Sequence, residues 1–176
     1  MLTRLLASLV LVATLAGCTP SAVTPAPTPT AATAAILDPD LVPVALSVVT
    51  AEAAAIEGAR LADALAALIA PESIVNVSDA SQLAPIADDI AAYYVVYRTY
   101  TLDPAEDPLA LAQTIVSIMR RSGWTTYDET NVDGQYLAAL SGGGAAAPWF
   151  ALVGGDASVA GQSVVTFQIA SPDVVE

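Results

Sequence analysis

The chain has 176 residues, 55% of them apolar, with 5 basic and 18 acidic side chains and a formal charge of −13. That length holds one ordinary domain with a tail; the charge excludes nucleic-acid binding, which needs basic residues to displace counterions from phosphates, and an anionic lipid surface would repel the domain as well. Histidine and lysine are both absent, which removes Ser-His-Asp and Cys-His pairs, Ser-Lys dyads, Schiff-base chemistry and the common zinc sites.

Residues 1–17 open with Met1-Leu-Thr-Arg4, continue apolar from Leu5 to Leu15 and end in Ala16-Gly17, with Arg4 the only charge before Asp38. A short basic start, an apolar stretch and a small-residue exit form the layout of a secretory signal peptide. The stretch is shorter than the roughly 20 residues that cross a bilayer core. Leu15-Ala16-Gly17-Cys18 then resembles the lipobox of bacterial lipoproteins. That resemblance covers only the first 18 residues. It implies that the Cys18 thiol takes a diacylglyceryl group, that the chain is cut just before it, and that the new amino group is acylated. Cys18 is the sole cysteine, so no disulfide within the chain competes for it. Two or more acyl chains anchor stably, because each buried CH₂ contributes about 0.8 kcal/mol and one chain alone is marginal. The implied location is the extracytoplasmic face of the cell membrane, with the membrane itself as a partner through the acyl chains on Cys18.

Residues 18–36 read as the lipidated cysteine and a Pro/Thr/Ala-rich tether without periodic apolar pattern. Such a segment is extended, at about 3.1 Å per residue, and would hold a domain on the order of 50 Å from the bilayer. Residues 37–176 form the expected single globular domain. It begins in a loop with Asp38-Pro39 and Val42-Pro43 as turn signals. An alanine-rich helix is expected over residues 47–70 and stopped by Pro71. Ile56, Leu61, Leu65, Leu68 and Ile69 would form its apolar face, with Glu52, Glu57, Arg60 and Asp63 largely elsewhere.

A short strand fits residues 74–77 and a short helix residues 85–92. Residues 93–102, YYVVYRTYTL, give the strongest strand signal in the chain. Asp107-Pro108 is an N-cap and first-turn pair for a second helix over residues 108–122, with Leu111, Ile115, Ile118 and Met119 as its stripe. Arg120 and Arg121 suit its last turn and Gly123 its C-terminal cap. Strands follow at 124–131, 135–141, 149–153 and 163–170, with Asp133-Gly134 as a hairpin turn. The expected fold is α+β, a two-layer sandwich with two helices packed on one face of an antiparallel sheet of about four to five strands.

Candidate chemistry is sparse. No G-x-S-x-G elbow, P-loop or G-x-G-x-x-G is present. Glu129-Thr-Asn131-Val-Asp133-Gly134 faintly matches the start of a calcium loop, but its twelfth position is Leu140 instead of a bidentate Glu, so the hairpin turn is the better reading. Asp88-Asp89, Asp103 with Glu106 and Asp107, and Asp128-Glu129 are the carboxylate clusters a glycoside hydrolase would need; in so acidic a chain they read as solvated surface or caps. Neither a metal nor a cofactor is expected, and no catalytic residue is assigned. Alternation along the aromatic strand puts Tyr94, Val96, Arg98 and Tyr100 on one face and Tyr93, Val95, Tyr97 and Thr99 on the other. If helices cover only one face, the other stays open, and Tyr94, Arg98 and Tyr100 are the candidate contacts to a glycan or partner protein.

The expected role is therefore a membrane-anchored, non-enzymatic binding or accessory domain for an envelope component or partner protein. An apolar-ligand carrier with a cavity between helices and sheet, and a carboxylate-based hydrolase of cell-wall glycan, are the two other readings. The overall layout, including a helix ending in Ser122-Gly123-Trp124 before a β meander, resembles small lipoproteins of high-GC Gram-positive bacteria.

Overall fold

The computed structural model describes residues 38–86 and 91–174. The expected signal segment, Cys18, the tether and Asp88-Asp89 lie outside the described residues. Helix α1 (Ala51–Ala66) is followed by the hairpin of β1 (Ile74–Pro85) and β2 (Ala92–Leu102). Helix α2 (Pro108–Arg121) then leads into the meander of β3 (Thr125–Val132), β4 (Gln135–Gly142), β5 (Trp149–Asp156) and β6 (Ser163–Ala170). The six strands form one antiparallel sheet in the order β1-β2-β6-β5-β4-β3, so the last strand inserts beside β2 and joins the hairpin to the meander. Neither helix is long and apolar enough to cross a membrane.

The α+β class with two helices on an antiparallel sheet is observed, but the sheet has six strands, not four to five. The difference lies in β1. Its residues beyond Val77 are Ser, Asp, Ala, Ser, Gln, Leu, Ala and Pro, with no β-branched run to mark them. Pairing with β2 over the full register from Ile74↔Leu102 to Pro85↔Ala92 makes them a strand. Of the short helix expected over residues 85–92, Pro85 belongs to β1 and Ala92 to β2, while residues 87–90 lie outside the described residues.

Both helices lie on the same face. Val96, Tyr100 and Leu102 of β2 stand in register with Ile169, Val165 and Ser163 of β6, and Ile169, Phe167 and Val165 with Ala151, Val153 and Gly155 of β5. Helix α1 packs on β2 and β6, and α2 on β4, β5 and β6. Gly58 lets α1 sit close, since a Cβ there would stand 3.2 Å from Val96 Cγ2. The buried stripe of α1 is Ala54, Glu57, Gly58, Leu61, Ala62 and Leu65. Two sequence expectations are overturned by this: Ile56 is 66% exposed, while Glu57 is buried. The buried face sets the small residues Ala54, Gly58 and Ala62, which allow close approach, beside Leu61 and Leu65, while Ile56 points out.

Caps fix the helix ends: α1 is shorter than the expected 47–70, starting after Thr50 and ending at Ala66, so Leu68 and Ile69 fall beyond it, while α2 starts after its expected Asp107 cap. Thr50 accepts from the Ala53 N–H at 3.1 Å, and one Asp107 carboxylate oxygen accepts from the Leu109 and Ala110 N–H groups at 3.0 Å each. The α2 stripe centres on Ala112, Ile115, Val116 and Met119, with Leu111 and Ile118 on its flanks. Gly123 has φ 93°, as a left-handed C-terminal cap requires. Ahead of α1, residues 38–50 cross the helix side as a strap. Its Leu41 is buried, and the Leu41 carbonyl accepts the Trp124 indole N–H at 2.7 Å.

Candidate binding face of the sheet

The structure places Tyr94, Arg98 and Tyr100 on the covered face, which corrects their reading as open-face contacts. Tyr100 is 3% exposed and packs on Phe167 with ring centroids 5.6 Å apart; burial pushes its phenol pKa up. Tyr94 is half-buried and donates to Ser81 Oγ at 3.0 Å. Arg98 donates from Nη1 to Asp63 of α1 and from Nε to Asp79 of β1. Desolvation alone would lower the Arg98 pKa, but these two carboxylates outweigh it and raise the value. Alternation separates the two sets of side chains along β2; it does not say which set the helices cover.

The candidate carboxylates serve local structure. Asp107 caps α2, and Asp103 accepts from the Ala105 N–H at 2.9 Å. Asp128 accepts from the Glu129 N–H at 2.9 Å. Glu129 pairs with Arg120 and accepts the Tyr136 hydroxyl at 2.7 Å. Burial first, and that hydrogen bond second, push the Tyr136 phenol well above the usual tyrosine range, while the same bond leads in holding Glu129 below its ordinary value. The faint calcium motif runs as β3 into the hairpin turn, with Asp133 at φ 53° and Gly134 at φ 78°. Among the described residues, no group of three or more potential ligands gathers to hold a metal ion.

Among the described residues, no helix covers the other face of the sheet. Ladder register gives it two rows that run across strands. Tyr97, Gln168, Leu152, Ala139 and Asp128 form one; Thr99, Thr166, Gly154, Leu137 and Thr130 form the other. Phe150 lies in the next row and meets Tyr127 edge-on at 6.3 Å. Tyr97, Phe150 and Leu137 are 37%, 41% and 47% exposed, so large apolar groups face solvent in the middle of the sheet and not only at its rim. Gly154 opens a notch, since a Cβ there would fall 2.6 Å from Thr166 Oγ1. Two shallow pockets of about 240 Å³ each flank it and share Leu137 and Thr166.

Charge is nearly absent from this face. The outward positions of β2, β4 and β6 are all uncharged, and the acids are Asp128 and Asp156 at the margins. Asp156 accepts from the Ser158 N–H at 2.8 Å and from the Gln135 amide at 3.1 Å; the contacts with Ser158 lead in lowering its pKa. A third pocket of about 180 Å³ lies at the end of the sheet beside Trp149, Val44 and Gly143. No helix residue lines any of the three, and Asp156 is the one carboxylate among their lining residues.

The sequence did not single out Tyr97, Leu137 or Phe150 as site residues. Tyr97 was visible as a member of the second alternating set; Leu137 and Phe150 join it only through the strand order. No protein-family model matches the chain, and no curated protein sequence matches it.

Proposed function

We propose that this chain is a lipoprotein held at the extracytoplasmic face of the cell membrane by acyl chains on Cys18, and that its domain, which is not an enzyme, binds an uncharged envelope component through the open face of the sheet. The observation that supports it most is the contrast between a formal charge of −13 and a solvent-facing sheet surface with almost none. Exposed apolar patches on soluble domains mark interaction sites. Tyrosine and phenylalanine rings beside amide and hydroxyl groups suit the flat apolar faces and hydroxyl edges of a sugar chain. An envelope glycan is the class that this chemistry fits best.

Two experiments test the reading. Co-sedimentation with purified cell-wall glycan should retain the wild-type chain, and Tyr97→Ala combined with Gln168→Ala should weaken retention at least tenfold, about 1.4 kcal/mol. Equal retention of the double variant would remove the open face from the account. For the anchor, metabolic labelling with a clickable fatty acid should mark the wild-type chain and miss Cys18→Ser. Equal labelling of both would refute lipidation at that thiol.

A further inference from the structure

The two edges of the sheet differ. Edge strand β3 carries Asp128 and Glu129 and a bulge between Thr126 and Asp128, devices that keep an edge from pairing with another strand. Edge strand β1 is longer, at 12 residues, and its one bulge sits at its start, between Ile74 and Asn76. Its one charge is Asp79, which Arg98 already holds. Helix α1 packs over β2 and β6 and leaves β1 uncovered on the helix side, so Val77 and Leu83 stay 48% and 46% exposed. Among the described residues no further strand pairs with this edge, and an edge of this length with exposed apolar side chains is a template for another strand.

We infer that β1 pairs antiparallel with β1 of a second copy, about a two-fold axis at Ala80. The sequence of the strand is complementary to itself in that register. Val77 of each copy falls opposite Leu83 of the other, on the helix side, and buries both. Asp79 falls opposite Ser81, so the two Asp79 side chains are diagonal neighbours and not directly opposed, each paired with its own Arg98, and Asn76 falls opposite Ala84. In an acidic chain this edge adds only one acid per copy, Asp79, and Arg98 is paired with it. The pairing is isologous and closed. It joins the two sheets into one and sets the two open faces side by side, and it stands whether or not those faces bind a glycan.

Cysteine cross-linking of full-length chains tests the register. A short bis-maleimide should join Ala80→Cys chains into dimers above the background of the wild type, whose lone thiol is Cys18. Asn76→Cys and Ala84→Cys chains should each stay at background alone and give dimers when mixed. Adding Val77→Lys to Ala80→Cys should reduce the dimer at least fivefold, with circular dichroism confirming that the variant is folded. Background levels for Ala80→Cys, or no gain on mixing Asn76→Cys with Ala84→Cys, would overturn the inference.

Discussion

Gly155→Ala is expected to destabilise the fold by about 3 kcal/mol, the upper end of what overpacking a tight interface does. Gly155 lies on the covered face of β5, opposite Val165 of β6 and Tyr136 of β4. The first turn of α2 rests on it. A Cβ at this position would overlap the Pro108 carbonyl and stand 3.1 Å from Leu109 Cα. Those atoms are backbone, so no rotamer change relieves the clash. The Asp107 cap holds the same turn in place. Relief requires α2 to lift, which draws Ala112, Ile115 and Met119, all fully buried, away from the sheet. Gly144→Ala is the matched control, because a Cβ there meets nothing within 4 Å; it should change stability by no more than about 0.5 kcal/mol. Urea unfolding followed by circular dichroism separates the two. A Gly155→Ala midpoint equal to that of Gly144→Ala would show that α2 does not press on β5 as described.

The parts of this fold that were legible in the sequence are those set by short-range chemistry. Asp107-Pro108, Gly123 and Asp133-Gly134 act on their own neighbours, and each sits where its local preference puts it. The aromatic strand was legible from its composition, since a dense run of aromatic and β-branched residues fits a pleated, half-buried surface. Beyond Val77, β1 was not, because its polar residues are held as a strand by their partner and not by their own preference. The choice of the open face failed at a different level. Side-chain alternation divides β2 into two sets, but the choice of covered set depends on where α1 lands, and α1 lands where Gly58 and Ala62 let it approach. Arg98 made the wrong set look solvated. Its charge is instead met by Asp63 on the covering helix and Asp79 on the neighbouring strand, a pairing that sequence spacing does not reveal.

Glu57 was misread for a related reason, and its replacement is the second large effect expected. Glu57→Gln should destabilise the domain by about 2 kcal/mol near neutral pH, less than the 3–5 kcal/mol for breaking a fully buried ion pair, because water still reaches the Arg60 side chain, 35% exposed. The Glu57 carboxylate takes three hydrogen bonds: from the Val44 N–H at 2.7 Å, from Arg60 Nη2 at 2.6 Å and from Arg60 Nε at 2.8 Å. Arg60 donates onward to the Asp40 and Val42 carbonyls at 2.6 and 2.9 Å. The pair thus rivets residues 40–44 to α1 and keeps Leu41 over the core, where its carbonyl receives the Trp124 indole. Glutamine keeps the shape but turns an N–H₂ toward donors, leaving at least one bond unmade. Burial alone would raise the Glu57 pKa; the bonds from Arg60 and Val44 outweigh it and hold the group below its ordinary 4.5. A depressed carboxylate pKa adds stability that is complete above the unfolded value and is lost as pH falls through the folded one. The gap between wild type and Glu57→Gln should therefore be full at neutral pH and shrink once pH drops below 4.5. Glu129 and Asp156 are depressed as well, but both proteins carry them, so the difference between the two unfolding curves isolates Glu57. A gap that stays constant from neutral to acidic pH would mean that the Glu57 charge does not hold the strap to α1.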